Sequence, residues 1–269
     1  MFHVHTFFPH ALLRQFVESY LIVSVDQMQD GYIEKTILPH ITQSLVIELG
    51  EENTVYDCNL SEYCPPSFVV GPNDEICRVR LFSGMKKMII HLHPGTLFKL
   101  FQIHTHQFNK GCINSEKYFG TLLTALSMEI RKIPLSEKIE LVDSFLLQYL
   151  NTGKKQTRNV DEAFRLIKRT KGSISMGELE KVTFTTKRTL ERHFLEQFGL
   201  HPKIFSRLVR FNAVIRFLDS DINVKWHRLA ELFGYYDQSH FIHEFKTFTG
   251  KLPHDYMSYK SEYESKLNN

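Results

Sequence analysis

The sequence predicts a two-domain α+β protein, with a β-rich N-terminal half and an all-helical C-terminal half. Three observations carry this. Residues 20–92 contain short β-branched runs separated by turn residues. From about residue 116 onward the apolar residues recur at helical spacing. Within the C-terminal hundred residues one helical pattern occurs twice. A length of 269 residues suits two domains, and 42% hydrophobic residues are ample for two packed cores.

In the N-terminal half the strand runs are Tyr20–Val25, Leu45–Leu49, Ser67–Val70, Cys77–Leu81 and Lys87–Leu92. Turn signals at Asp30-Gly31, Gly50–Asn53, Cys64-Pro65-Pro66, Gly71–Asp74 and Ser83-Gly84 punctuate them. Such spacing implies an antiparallel barrel or sandwich. The segment Pro9–Tyr20 reads as a short helix packed outside it. Leu122, Leu123, Leu126 and Ile130, then Ile139, Val142, Phe145, Leu146, Tyr149 and Leu150, mark a helical hairpin interrupted at Pro134. Its apolar faces suit either the side of the β-domain or a twin in a dimer. These elements make residues 1–150 one domain. Residues 151–157, polar and carrying Gly153, read as a linker, residues 158–260 as the second domain and 261–269 as a tail.

The second domain is organised around residues 229–245. Leu229, Ala230 and Leu232 give one face of a short helix. Gly234 can take the positive φ of a tight turn, and Asp237 can cap the next helix. Phe241, Phe245 and Phe248 then form one stripe, and Gly250 and Pro253 stop it. The opposite face holds Gln238, Ser239, Ile242, His243 and Lys246. The earlier copy reads Leu190, Phe194, Gly199 and Pro202, and the later one Phe241, Phe245, Gly250 and Pro253, with the same offsets of four, nine and twelve residues. Two similar helix-turn-helix units follow. The first departs from the second at its turn, residues 182–186, which has no glycine. Between the copies, Pro202–Leu218 reads as one helix spanning ~24 Å at 1.5 Å per residue. Such a strut would let both units address one face of a duplex, about one turn (~34 Å) apart.

Charge agrees with a phosphate-binding module. The chain carries a net +3, but residues 158–260 hold 18 basic against 12 acidic residues, whereas residues 1–157 hold 14 against 16. In the first unit Thr185 or Thr186 caps the second helix, whose outward residues are Lys187, Arg188, Glu191 and Arg192. A guanidinium fork matches O6 and N7 of guanine, so Arg188 and Arg192 are candidate base readers. Glu191 can accept from a cytosine amino group or orient Arg188. In the second unit Gln238 can pair with adenine, Ser239 lies beside it, and His243 can donate to a base edge or a phosphate. Lys203, Arg207, Arg210 and Lys246 are phosphate candidates. Each also admits a plainer reading, a solvated helix face.

The residues Gly234–Phe241, Phe245-Lys246 and Thr249–Pro253 closely resemble the second helix-turn-helix signature of AraC/XylS-type transcription regulators. The resemblance runs over roughly Asn159–Tyr259. Ile37–His40, Leu45–Gly50, Phe68–Pro72 and Leu92–Gly95 resemble more loosely the cupin-like sensor half of such regulators. Glu180 stands where the family usually has a small alanine. The resemblance implies a cupin-like antiparallel β-barrel that senses an effector or dimerises, followed by a DNA-binding domain. It implies double-stranded DNA as partner, through two adjacent major grooves, with a small-molecule effector, RNA polymerase and a homodimer partner besides. It implies no cofactor.

Other classes were weighed. No run of eighteen apolar residues suits a membrane span, and residues 1–10 lack a signal-peptide pattern, so a cytoplasmic protein is expected. Cys58, Cys64, Cys77 and Cys112 form no CxxC pair and are expected as thiols. His91/His93, His3/His5 and His104/His106 each alternate, and a barrel could set such pairs around zinc or iron. No nearby Glu completes a ligand set, so no metal is expected. The alternative is thus a cupin-type metal-dependent enzyme or metal sensor fused to a DNA-binding module. A DNA-alkyl-transfer protein would need a reactive Pro-Cys-His-Arg cysteine, which the chain lacks. Gly-rich phosphate loops, Gly-x-Ser-x-Gly and HExxH are also missing, so an enzyme is not expected.

Overall fold

The structure is a computed structural model that describes residues 1–27, 31–108, 111–150, 158–220 and 226–258. The linker expected at 151–157, the tail at 261–269 and Asp30 of the first turn lie outside the described residues.

The N-terminal half is built from two antiparallel sheets. One has the order β1 (Phe2–Phe7), β2 (Val17–Val25), β9 (Lys86–Leu92), β4 (Gln43–Glu48), β7 (Phe68–Val70), β10 (Ile113–Asn114). The other has the order β3 (Tyr32–Ile37), β8 (Cys77–Phe82), β5 (Val55–Asp57), β6 (Glu62–Tyr63). The sheets face each other as an open sandwich; the strands do not close into the barrel expected from the sequence. The physical reason is visible at the edges, where β6 and β10 are two-residue strands, too short to carry a hydrogen-bonded seam from one sheet to the other.

Alternation sorts the central strands. On β4 and β9, Leu45, Ile47, Met88, Ile90 and Leu92 point outward from the sandwich into a core shared with the helices. Their neighbours Val46 and Ile89 line the inter-sheet side. Both faces of β4 are therefore buried, and all six of its residues are inaccessible. Lys87 and Glu48, opposite one another in register, bury their charges as an ion pair, and Lys87 also donates to the Pro66 carbonyl at 2.9 Å. The helical hairpin, α3 (Leu122–Lys132) and α4 (Leu135–Leu147), covers the six-stranded sheet through Leu123, Leu126, Ile130, Val142 and Leu146. Pro134 stands at the N-cap of α4. Asp143 of α4 accepts from the Tyr20 hydroxyl at 2.6 Å, tying this hairpin to β2.

Two expectations need correction here. The segment Pro9–Tyr20 is a single 3-10 turn, Ala11–Leu13, after which Val17 already begins β2. Its one inward residue, Leu13, anchors it. Cys64 and Cys112 are joined as a disulfide, Cα atoms 5.4 Å apart, rather than lying as two thiols. The antiparallel pairing of β7 with β10 brings their flanking segments together. Cys58 and Cys77 are free thiols.

The C-terminal half comprises α5 (Arg158–Arg169), α6 (Met176–Thr183), α7 (Lys187–Phe198), α8 (Pro202–Ser220), α9 (Trp226–Leu232) and α10 (Gln238–Thr249). Its single core holds two clusters of aromatic rings, one for each unit. Phe194, Phe198 and Phe205 touch one another in the first, and Phe211, Phe241, Phe245 and Phe248 are linked by ring contacts in the second. The connecting helix α8 has 19 residues, ~28 Å by helical rise. It begins at Pro202, as the sequence indicates.

Candidate nucleic-acid interface and its control site

The two helix-turn-helix units are α6–α7 and α9–α10, one at each end of α8. In the second, Gly234 has φ +68° and turns the chain. Asp237 caps α10 by accepting from the His240 amide at 2.7 Å, and Gly250 closes the helix in the left-handed region. The first unit makes the same turn without glycine. Phe184 takes φ +49° and leaves its ring 93% exposed. Thr186 occupies the N-cap of α7 without a side-chain cap bond, and the carboxylate of Glu180 instead accepts from the Lys187 amide at 2.6 Å. The residue that departs from the family pattern thus supplies the missing cap.

The repeated stripes face inward. Leu190, Phe194, Phe198, Phe241, Phe245 and Phe248 are all buried. On the outer face of α7, Lys187, Arg188 and Arg192 are exposed and Glu191 is half-buried. Arg192 is 64% exposed and makes only a loose contact with Glu196, at 3.7 Å one turn along. On α10, Gln238, Ser239, His243 and Lys246 are exposed. Eight of the eleven residues named as DNA contacts therefore sit on the outer faces of the two second helices.

Arg210 is one of the other three, and the structure places it differently. Its two Nη atoms donate to the carbonyls of Gly234 (3.2 Å) and Gly172 (3.0 Å), and its guanidinium lies 4.9 Å from the centre of the Tyr235 ring. It braces the turn before α10. Arg207, another phosphate candidate, is ion-paired with the buried Glu244 at 2.6 Å and fastens α8 to α10. Lys203 remains exposed. A basic residue's sequence position shows its charge but not its partner, so neither bracing role was legible.

The sequence also gave no sign of how the halves meet. The C-terminal end of α7 packs on α1 (Thr96–Phe101) and on the 3-10 turn Thr105–Phe108. Buried Thr105 donates to the Gln197 carbonyl at 2.8 Å and accepts from Gln43 at 3.3 Å. Gln43 in turn accepts from the Leu97 amide at 3.0 Å. The Gln197 side-chain amide donates to Asp161, which pairs with Lys99 at 2.8 Å. Gly95, at φ +85°, lies so close to the Phe198 ring that a Cβ there would come within 2.8 Å. Ile41 is buried in the aromatic core of the C-terminal half, with Leu38 packed beside it.

The segment 38–43 has a second side. His40 and Thr42 line a cavity of about 540 Å³ between the two sheets. Its walls are mainly apolar, among them Val23, Val46, Phe68, Val79 and Leu81. One strap of chain therefore lines the inter-sheet cavity on one side and enters the core of the C-terminal half on the other. His91 lines the cavity, whereas His93 contacts the Arg14 carbonyl at 3.1 Å, His3 bonds Asp26, and His104 packs edge-on against His106. His91 and His93 thus serve separate contacts, whereas His104 and His106 touch each other. Among the described residues no group of three or more His, Cys, Asp or Glu could hold a metal ion. No helix among them is long and apolar enough to cross a membrane.

Comparison with known proteins adds to this geometry. Residues 179–259 match the family model of a helix-turn-helix domain, and residues 5–114 that of a domain of unknown function, DUF6597. No curated protein matches the chain significantly. Among solved structures, ToxT from Vibrio cholerae is 13% identical over 95% of this chain and 97% of that one, with a TM-score of 0.46. ToxT of strain SCE256 with an unsaturated fatty acid bound is 10% identical over 88% and 94%, with a TM-score of 0.42. Two helix-turn-helix units on one long helix, presenting polar outer faces, have the architecture of a DNA-binding module. The turn, cap and aromatic stripe around Gly234–Phe245 fall within the residues that match the helix-turn-helix model.

Proposed function

We propose that α7 and α10 enter two adjacent major grooves of one duplex, and that the N-terminal half governs this binding through the occupant of its inter-sheet cavity. The observation that carries the reading is the contrast on these helices: buried aromatic stripes behind, exposed donors in front. In this reading Arg188 and Arg192 read guanine and Glu191 accepts from a cytosine or steers Arg188. Gln238 reads adenine, with Ser239 and His243 beside it, and Lys187 and Lys246 hold phosphates. Residues 158–260 are the DNA-binding unit and residues 1–150 the sensor, joined by the linker 151–157. A cytoplasmic location, contact with RNA polymerase and pairing with a second copy of the chain belong to the same reading.

The route from sensor to DNA is the strap 38–43 with Thr105 and Gln197. A change in cavity occupancy that moves His40 or Thr42 displaces Ile41 and Gln43, and with them the seat of α7. The test is binding of the full chain to a random duplex library, followed by titration of the recovered sequence against salt. A recovered consensus, with affinity falling steeply as salt rises, supports the reading. Equal affinity for all duplexes overturns it.

A further inference from the structure

Four of the polar residues lining the inter-sheet cavity stand close together. Ser44 and His91 are partners across β4 and β9, so their side chains stand together on the inter-sheet side. Thr42 precedes Ser44 by two residues on the same face, and its hydroxyl is 3.0 Å from Nδ1 of His40. The rest of the wall is mainly aliphatic or aromatic, with Lys35, Thr36, Asp57, Asn73 and Lys87 as its other polar members. The space is largely apolar, and this uncharged polar end abuts the strap carrying Ile41 and Gln43.

Three charged residues, Lys35, Asp57 and Lys87, line this space, and each is already engaged. The Lys87 ammonium is held by Glu48 and the Pro66 carbonyl. The Asp57 carboxylate accepts from the Asn59 and Leu60 amides at 2.8 and 3.1 Å. The Lys35 ammonium sits 4.3 Å from the centre of the Phe2 ring. Burial holds both imidazoles neutral: His40 is lowered to about 4 and His91 is also lowered. The polar end therefore offers hydroxyls and neutral ring nitrogens, which can donate or accept but cannot compensate a net charge. An ionised ligand group placed there would lose its hydration without gaining a counter-ion.

We propose that the cavity binds an uncharged amphiphile. Its apolar chain or ring system lies between the sheets, and a single hydroxyl, ester or amide head is hydrogen-bonded within the cluster His40, Thr42, Ser44 and His91. A space of about 540 Å³ suits a molecule of drug-like size. This rests on the reading of the cavity as the effector site.

The experiment is calorimetric titration of the full chain, without DNA, with 1-decanol, decanoate and decylammonium at pH 8. One decanol per chain is expected, bound at least tenfold tighter than either ion. Ser44→Val and His91→Phe, each checked for an unchanged circular-dichroism spectrum, should weaken decanol at least fivefold. Equal or tighter binding of decanoate or decylammonium overturns the proposal while leaving the cavity as an effector site. So does decanol binding that neither variant alters. Binding of none of the three overturns both the ligand class and the cavity's role, with the DNA-binding reading untouched.

Discussion

Thr105→Val is the sharpest test of how the two halves communicate. Valine has nearly the shape of threonine, so the packing around this fully buried residue is kept while its hydroxyl is lost. Two partners are stranded: the Gln197 carbonyl loses its donor at 2.8 Å, and the Gln43 amide loses its acceptor at 3.3 Å. A buried polar group left unsatisfied costs about 1–3 kcal/mol. The second bond is long, so we take about 2 kcal/mol for the pair, roughly a 30-fold shift toward the undocked arrangement. The loss falls on the contact between halves, not on either core. Amide hydrogen exchange should therefore quicken about 30-fold in residues 95–108 and 190–200, and stay unchanged across the β2–β9 pairing. Thr105→Ser, which retains the hydroxyl, should restore most of the protection. Unchanged exchange at both segments, or a uniform increase along the chain, would refute the reasoning.

Two further outcomes follow from the same geometry. Arg210→Ala should lower stability by about 2 kcal/mol, because a charged donor to two backbone carbonyls is removed, and should leave the salt dependence of DNA binding unchanged. A normal melting temperature with a salt slope smaller by about one would instead make Arg210 a phosphate contact. His40 sets a pH dependence. Burial lowers it from 6.5 to about 4, so between those values the unfolded chain takes the proton first. This contribution is present above about pH 6.5 and is lost as pH falls toward 4. Melts from pH 7.5 to 4.5 should show a shallower decline for His40→Asn than for the parent; identical curves would exclude the contribution.

What could be read from the chain in advance follows from how local each determinant is. Gly234, Asp237 and Gly250 act within one turn of themselves, and each is found in the expected conformation. The aromatic stripes were legible because helical periodicity is a local signal. Strand β1 was not, since Phe2–Phe7 is an edge strand with three exposed residues and two histidines. β3 is likewise mostly exposed. The cap supplied by Glu180 needs a turn geometry that composition does not state. The least legible features join distant positions. Thr105 and Gln197 are 92 residues apart, and nothing about Ile41 in sequence places it in the core of the other half. The closure of the β-domain depended on strand lengths at its edges, which short runs define poorly.

The measurement that bears most directly on the central claim is sequence selection with the full parent chain and with Arg192→Ala and Gln238→Ala. The account predicts a site with two clusters of preferred bases about one helical turn apart. Arg192→Ala should relax one cluster and Gln238→Ala the other, each by about 1–3 kcal/mol at the affected base. Recovery of the same consensus from all three proteins would contradict it.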